Sequence, residues 1–289
     1  MYSHNKKGDQ KAFNDNWMIR KETHYIHWTR DEPQNQIQLA FRRHWLLFQE
    51  IMGQNWNRKR SLEVGCGRGS MSAYFADNGF DCTLLDTSKS VIQTAKKIFG
   101  VNGLKGNFNV GNVMNLPYAE GSFDVVLSIG LLEHFEDIET PLNEQIRVLS
   151  DGGLFLGYIV PKYIDNVQKK YTWINNVLMG MVDIKTQKYV LEKENIFRSD
   201  SNSERYINIL KQLPARDINA SGVYPLPMIS YSIDFPFTLL PPESERILVK
   251  HFQEILIKRK EKNKANPWLC KEGYGQAFLI WCFKNKGPL

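Results

Sequence analysis

The sequence predicts an α/β protein. Its core is a doubly wound, mostly parallel seven-stranded sheet with helices on both faces, with an N-terminal helical extension and a helical and loop insertion before the last strand. Three observations carry this. Between residues 58 and 160 short apolar runs alternate with amphipathic helical patterns, the rhythm of a parallel sheet covered on both sides. A glycine-rich turn joins the first apolar run to the first of those helices. A separate aromatic run at 276–283 supplies a closing strand.

The elements follow in order. Residues 1–57 form a loose polar tail and a helical cap. Ile37, Phe41, Leu47, Phe48 and Ile51 recur at helical intervals across 34–52, and Gly53 stops the helix. Residues 61–65 read as a buried strand, and 70–78 as a helix ended by Gly79. A strand at 81–86 precedes Ser88, an N-cap for a helix with Val91, Ile92, Ala95 and Ile98 on one face. Strands follow at 108–110 and 123–129. Pro141 suits the first turn of a helix carrying Leu142, Ile146 and Leu149. Asp151-Gly152-Gly153 then turns the chain into a strand at 154–160. Right-handed crossovers fix most of the topology.

Beyond Pro161 the rhythm breaks. Residues 161–268 read as a lid: mainly helical over 162–215, an extended loop holding five prolines over 224–242, and a helix near 243–262. Residues 269–289 return to the core with the closing strand.

Composition excludes several classes. With 42% hydrophobic and 24% charged residues this is an ordinary globular chain. No stretch approaches the roughly 18 apolar residues of a membrane span. The start is polar and lacks the apolar core of a secretion signal, so a cytoplasmic setting is expected. Cys66, Cys82, Cys270 and Cys282 lie far apart without zinc-like spacing, which predicts reduced thiols and no metal. The net charge of +6 is compatible with an anionic partner. Its clearest run, 258–264, follows the apolar positions Ile247, Leu248, Phe252, Ile255 and Leu256, and reads as the solvated end of a core-packed helix. A nucleic-acid partner is therefore the weaker reading.

The chemistry is concentrated at Leu62-Glu63-Val64-Gly65-Cys66-Gly67-Arg68-Gly69-Ser70. Glycines 65, 67 and 69 let backbone approach a ligand and permit positive φ, and the helix start beyond them offers free amides. Dinucleotide-binding proteins use a similar turn, but with Gly-x-Gly-x-x-Gly spacing. Glu63 also precedes the loop, where a diphosphate gains nothing from a negative charge and a cofactor with ammonium and sulfonium groups does. Asp86 ends the second strand 21 residues after Gly65, where a carboxylate can hold two ribose hydroxyls.

On these residues the chain resembles the class I S-adenosylmethionine-dependent methyltransferases over residues 58–160, with a matching last strand. Five segments agree in order. They are the glycine loop, Asp86-Thr87-Ser88, Gly111-Asn112-Val113 with Leu116-Pro117-Tyr118, Phe123-Asp124-Val125-Val126, and Arg147-Val148-Leu149 leading to Gly152-Gly153. The resemblance implies that Glu63, Gly65, Cys66, Gly67 and Gly69 surround the methionine part of S-adenosylmethionine, that Asp86 holds the ribose, and that Thr87 flanks the adenine. It places Asn112 and Val113 at the adenine edge, and Ser128, Ile129 and Gly130 along the path to the methyl group. Asn112 stands where many relatives carry Asp; it either accepts the adenine bond through its amide oxygen or serves as a turn residue.

Methyl transfer is an in-line displacement at an activated methyl group, so the protein aligns and desolvates. A base is needed only where the acceptor must lose a proton. His134, beyond the fourth strand, is either that base or an acceptor contact, or else a turn histidine bonded locally. Tyr25, His27, Trp28 and Arg30 form a second cluster. Segments before the loop cover the cofactor in relatives, and Tyr25 is the catalytic candidate among them through attraction of its ring for the sulfonium; as packing aromatics they need no such role. Tyr158, Tyr163 and Trp173 are candidate walls of an acceptor pocket. A lid of this length favours a small-molecule acceptor. The alternatives are an RNA or protein methyltransferase, opposed by the lack of an appended binding module and of an Asn-Pro-Pro-Tyr-type motif, and a non-catalytic cofactor-binding subunit, opposed by the intact loop. Nothing in the pattern specifies an oligomeric state.

Overall fold

The apolar runs assemble into one sheet in the computed structural model, which describes residues 27–162, 165–181, 197–231, 238–263 and 265–286. Strands β1 (Arg60–Val64), β2 (Asp81–Asp86), β3 (Asn107–Val110), β4 (Phe123–Ile129), β5 (Leu149–Ile159), β6 (Ala215–Val223), β7 (Leu269–Cys270) and β8 (Ala277–Lys284) lie in the order β3-β2-β1-β4-β5-β8-β6-β7. The first five are parallel, and β8 runs antiparallel to β5, with Phe278 opposite Ile159.

Among the described residues the sheet has eight strands rather than the seven expected. The difference lies at β6 and the two-residue β7. β6 reads Ala-Arg-Asp-Ile-Asn-Ala-Ser-Gly-Val, mostly polar, because it is half-exposed and bulges between Arg216 and Asn219, with Asp217 at φ 51°. A strand with one wet face and a broken alternation leaves little periodic signal.

Seven helices flank the sheet among the described residues: α1 (Gln36–Met52), α2 (Ser70–Asp77), α3 (Lys89–Val101), α4 (Glu139–Arg147), α5 (Thr172–Gly180), α6 (Ser203–Leu210) and α7 (Pro242–Asn263). Asn35 caps α1 by accepting from the amides of Ile37 and Gln38, and Gly53 ends it at φ 78°. Ser88 caps α3 as its position predicts. β4 divides the core: Val125 and Leu127 pack with α1, α2, α3 and α7, while Val126 and, across a register shift, Phe123 pack with α4 and α6. In α7 the buried stripe is Val249, Phe252 and Leu256, and Ile247, expected inside, is exposed.

Two of the motif segments hold the frame rather than a ligand. Asp124, second in β4, receives the Arg60 amide and guanidinium. Burial works to raise its pKa, but the bonds from Arg60 and Ser150 outweigh this and hold the carboxyl at about 2. Arg147 donates to the carbonyls of Tyr118 (2.8 Å) and Leu116 (3.1 Å), while Glu144 accepts from the Leu116 amide at 2.7 Å.

Candidate functional site

Strand order reverses between β1 and β4, and an open α/β sheet binds its ligands in the crevice beyond the carboxyl ends at such a point. β1 delivers the glycine turn there. Gly65, Gly67 and Gly69 adopt φ of 67°, 53° and 70°, the left-handed region that side chains avoid. The amides of Gly65 and Cys66 both donate to the Leu85 carbonyl, at 2.8 and 3.0 Å, which pins the turn to β2. A Cβ at Gly65 would meet Leu131 at 2.8 Å, and one at Gly69 would meet Leu84 at 2.4 Å. The Cys66 thiol is buried, and burial pushes it well above its ordinary range.

Two carboxyls flank the turn. Asp86 accepts from the Gly67 amide at 3.2 Å and the Ser88 amide at 3.0 Å, and burial raises its pKa. Glu63 lies deeper and accepts from the amide (2.9 Å) and hydroxyl of Ser72 in α2. Burial pushes it up to about 7 against the pull of those bonds, with the like charge of Asp86 adding to the rise. Glu63 thus braces the strand against the helix that follows the turn.

The Glu63 shift has a consequence for stability. A free glutamate titrates near about 4.3, so between that pH and about 7 the folded chain holds a proton that the unfolded chain has released. Stability is then greatest below the unfolded value and falls as pH rises toward the folded one. Thermal unfolding of the protein without cofactor should show a steeper fall from pH 5 to 8 than unfolding of Glu63→Gln. Parallel curves would remove the assignment.

The remaining rim is uneven. Thr87 is exposed at the end of β2. Asn112 is exposed, accepts from the Met114 amide at 3.0 Å through its side chain, and pairs with Asn115, so its side chain closes a turn. Val113 is buried below it. Ser128 is fully buried on β4, and its hydroxyl finds no hydrogen-bond partner among the described residues. Ile129 and Gly130 are half-buried, and the Gly130 amide donates to the Tyr158 carbonyl at 2.9 Å.

Beyond Gly130 a short 3₁₀ turn, Leu132–His134, carries two titratable groups. His134 Nδ1 lies 2.7 Å from the carbonyl oxygen of Phe197. A carbonyl only accepts, so Nδ1 carries the hydrogen and Nε2 is the basic nitrogen of the neutral ring. Glu133 is buried, with Oε1 3.9 Å from His134 Nε2, and burial pushes its carboxyl up to about 7. Glu133 escaped the sequence reading; the available signal was an acidic residue between Leu132 and His134 directly after a buried strand.

The N-terminal cluster divides. Tyr25 lies outside the described residues. His27 reaches the start of α2, its Nδ1 2.7 Å from the Ser70 hydroxyl, and stacks on Phe41. Arg30 lies over the Trp28 ring and pairs with Asp77 at the far end of α2. Of the expected pocket walls, Tyr158 is buried beside Ile129, Trp173 is 66% exposed on α5, and Tyr163 lies outside the described residues.

Tyr158 belongs to an aromatic cluster that periodicity did not reveal. His44 sits 4.6 Å from its ring, 6.1 Å from Tyr224 and 5.4 Å from Trp268. Trp268 Nε1 donates to His44 Nδ1 at 2.8 Å, and burial pushes His44 down to about 3, so this ring is neutral. These residues come from distant parts of the chain.

Comparisons with known proteins accord with this geometry. Residues 62–157 match the family described as a methyltransferase domain. Norajmaline N-methyltransferase of Rauvolfia serpentina is 32% identical over 184 residues, covering 59% of each chain. O-methyltransferase resE of Aspergillus sclerotiorum is 36% identical over 94 residues, covering 32% of this chain and 36% of that one. The chain thus spans between about a third and three-fifths of the length of these curated relatives. Among solved structures, the YcgJ protein of Bacillus subtilis superposes over 84% of this chain and 99% of its own, with a TM-score of 0.50 at 19% identity, a likeness of fold.

Proposed function

We propose that the chain, whose residues 62–157 match a methyltransferase domain, transfers a methyl group from S-adenosylmethionine to a small-molecule acceptor. The observation that carries this reading is the left-handed glycine turn with Asp86 turned into it at the strand-order reversal. The residues fit the cofactor. The turn leaves no room for side chains at Gly65 and Gly69, and Glu63 and Asp86 place two carboxyls beside it, which suits a cationic ligand.

In this reading Gly65, Gly67 and Gly69 receive the methionine part, with Glu63 bracing them from behind. Asp86 accepts from the ribose hydroxyls, Thr87 and Val113 flank the adenine, and Ser128, Ile129 and Gly130 border the path to the methyl group. When bound, S-adenosylmethionine supplies an electrophilic methyl on a positively charged sulfur. Transfer to an acceptor lone pair would leave the electron pair of the sulfur–methyl bond on sulfur. His134 Nε2 takes the proton that the acceptor loses and later returns it to solvent. The buried Tyr158 beside Ile129 keeps water from the acceptor. The named relatives methylate nitrogen in one case and oxygen in the other, so either acceptor atom fits this scheme.

The test is release of S-adenosylhomocysteine from S-adenosylmethionine with a panel of phenols and amines. His134→Gln should slow transfer to an acceptor that must lose a proton by roughly 10²- to 10⁴-fold, with cofactor affinity unchanged. Transfer at the wild-type rate by that variant would remove His134 from the reaction.

A further inference from the structure

Glu133 is an expensive residue to keep where it is. It is 1% exposed, and among the described residues its Oε2 has no hydrogen-bond partner, an unfavourable setting for an ionisable group. Its backbone carbonyl accepts from the Ser199 amide at 2.8 Å, which holds the turn in place whatever side chain residue 133 bears. A frame role therefore accounts for the backbone and leaves Oε2 of the carboxyl unexplained. The carboxyl lies at the reaction end of the fold: a Cβ on Gly130 would come 3.6 Å from Glu133 Oε1.

The neighbouring ring supplies the reason. With Nδ1 committed to the Phe197 carbonyl, a proton taken up by His134 goes to Nε2, the atom 3.9 Å from Glu133 Oε1. That separation is too long for a hydrogen bond and short enough for a strong charge interaction in a dry setting. We propose that Glu133 is a positioning residue for His134: its carboxylate supplies the negative charge that stabilises the imidazolium formed when His134 receives the acceptor's proton. The proposal rests on the reading of His134 as the base.

The other groups facing Glu133 leave this intact. The exposed Arg198 guanidinium and the amides of Glu133 and Val160 favour its ionised form, though not enough to offset burial. The phenols of Tyr206 in α6 and Tyr158 in β5 feel its charge, and both are held far above neutral pH. Burial lifts the Glu133 carboxyl to about 7. With Glu133 Oε1 3.9 Å from His134 Nε2, the two groups lose their protons in coupled steps.

The experiment is a pH titration of the His134 Cε1 proton by NMR, on the intact protein without acceptor. The signal is identified among the six histidines by its absence in His134→Gln. Wild-type protein should show two inflections, and Glu133→Gln a single one, displaced to lower pH by about one unit or more. Glu133→Asp, which keeps the charge at shorter reach, should lie between them and covers the case in which Glu133→Gln does not fold. A single wild-type inflection at the ordinary histidine value, or the same midpoint in wild type and variants, overturns the proposal while leaving the base reading standing. Two inflections with full transfer by His134→Gln remove the base reading, and with it any role of Glu133 in the reaction.

Discussion

Replacing Asp86 by alanine is expected to weaken S-adenosylmethionine binding by roughly 100-fold or more, from the loss of two charge-assisted hydrogen bonds. The carboxylate ends β2 at the crevice and already holds the Gly67 amide at 3.2 Å and the Ser88 amide at 3.0 Å. It therefore does two things: it positions the middle of the glycine turn and, in the proposed complex, accepts from the ribose. Asp86→Asn separates them. An amide oxygen keeps one backbone bond, so the turn survives, while the charge and the second acceptor are gone. Calorimetry should show Asn intermediate and Ala at or beyond the limit of detection, with circular dichroism unchanged in both. Wild-type affinity in Asp86→Ala would remove the ribose assignment.

Much of the core was legible because its strands are covered on both faces and so read as unbroken apolar runs, as in Val125-Val126-Leu127. The glycine turn was legible for a different reason: few residues adopt φ near +60°, so the backbone demand is written directly as glycine. β6 was hidden because half-exposed strands tolerate Asp, Asn and Ser. Within the site, the strand-end acid was clear from spacing, whereas His44, Tyr224 and Trp268 were not. Their meeting depends on α1 and the segment before β7 packing on β5, and no local pattern encodes that. Glu63 shows a subtler limit. Its charge suggested a cofactor contact, yet its bonds go to Ser72, because a buried carboxylate first satisfies itself with the nearest amide and hydroxyl. Asn112 is similar: its side-chain oxygen accepts from the Met114 amide within its own turn.

Gly69→Ala should destabilise the protein by roughly 2–5 kcal/mol, far more than a glycine-to-alanine change at a permissive site. Two costs combine. The residue sits at φ 70° as the N-cap of α2, and an L side chain in that region costs about 1–2 kcal/mol. Its Cβ would also lie 2.4 Å from Leu84 Cδ2 and 3.0 Å from Phe99 Cε2, both buried, and overpacking of that kind costs about 1–3 kcal/mol. Gly79 supplies the comparison, since it has φ 78° with nothing within 4 Å of its Cβ. Gly79→Ala should show the backbone cost alone, and the difference between the two denaturant midpoints isolates the packing cost. Equal losses would mean that Leu84 and Phe99 move aside freely. That outcome would also weaken the case that the turn is preorganised, because the contact from Gly69 to Leu84 fixes where α2 begins and hence where its amides meet a ligand.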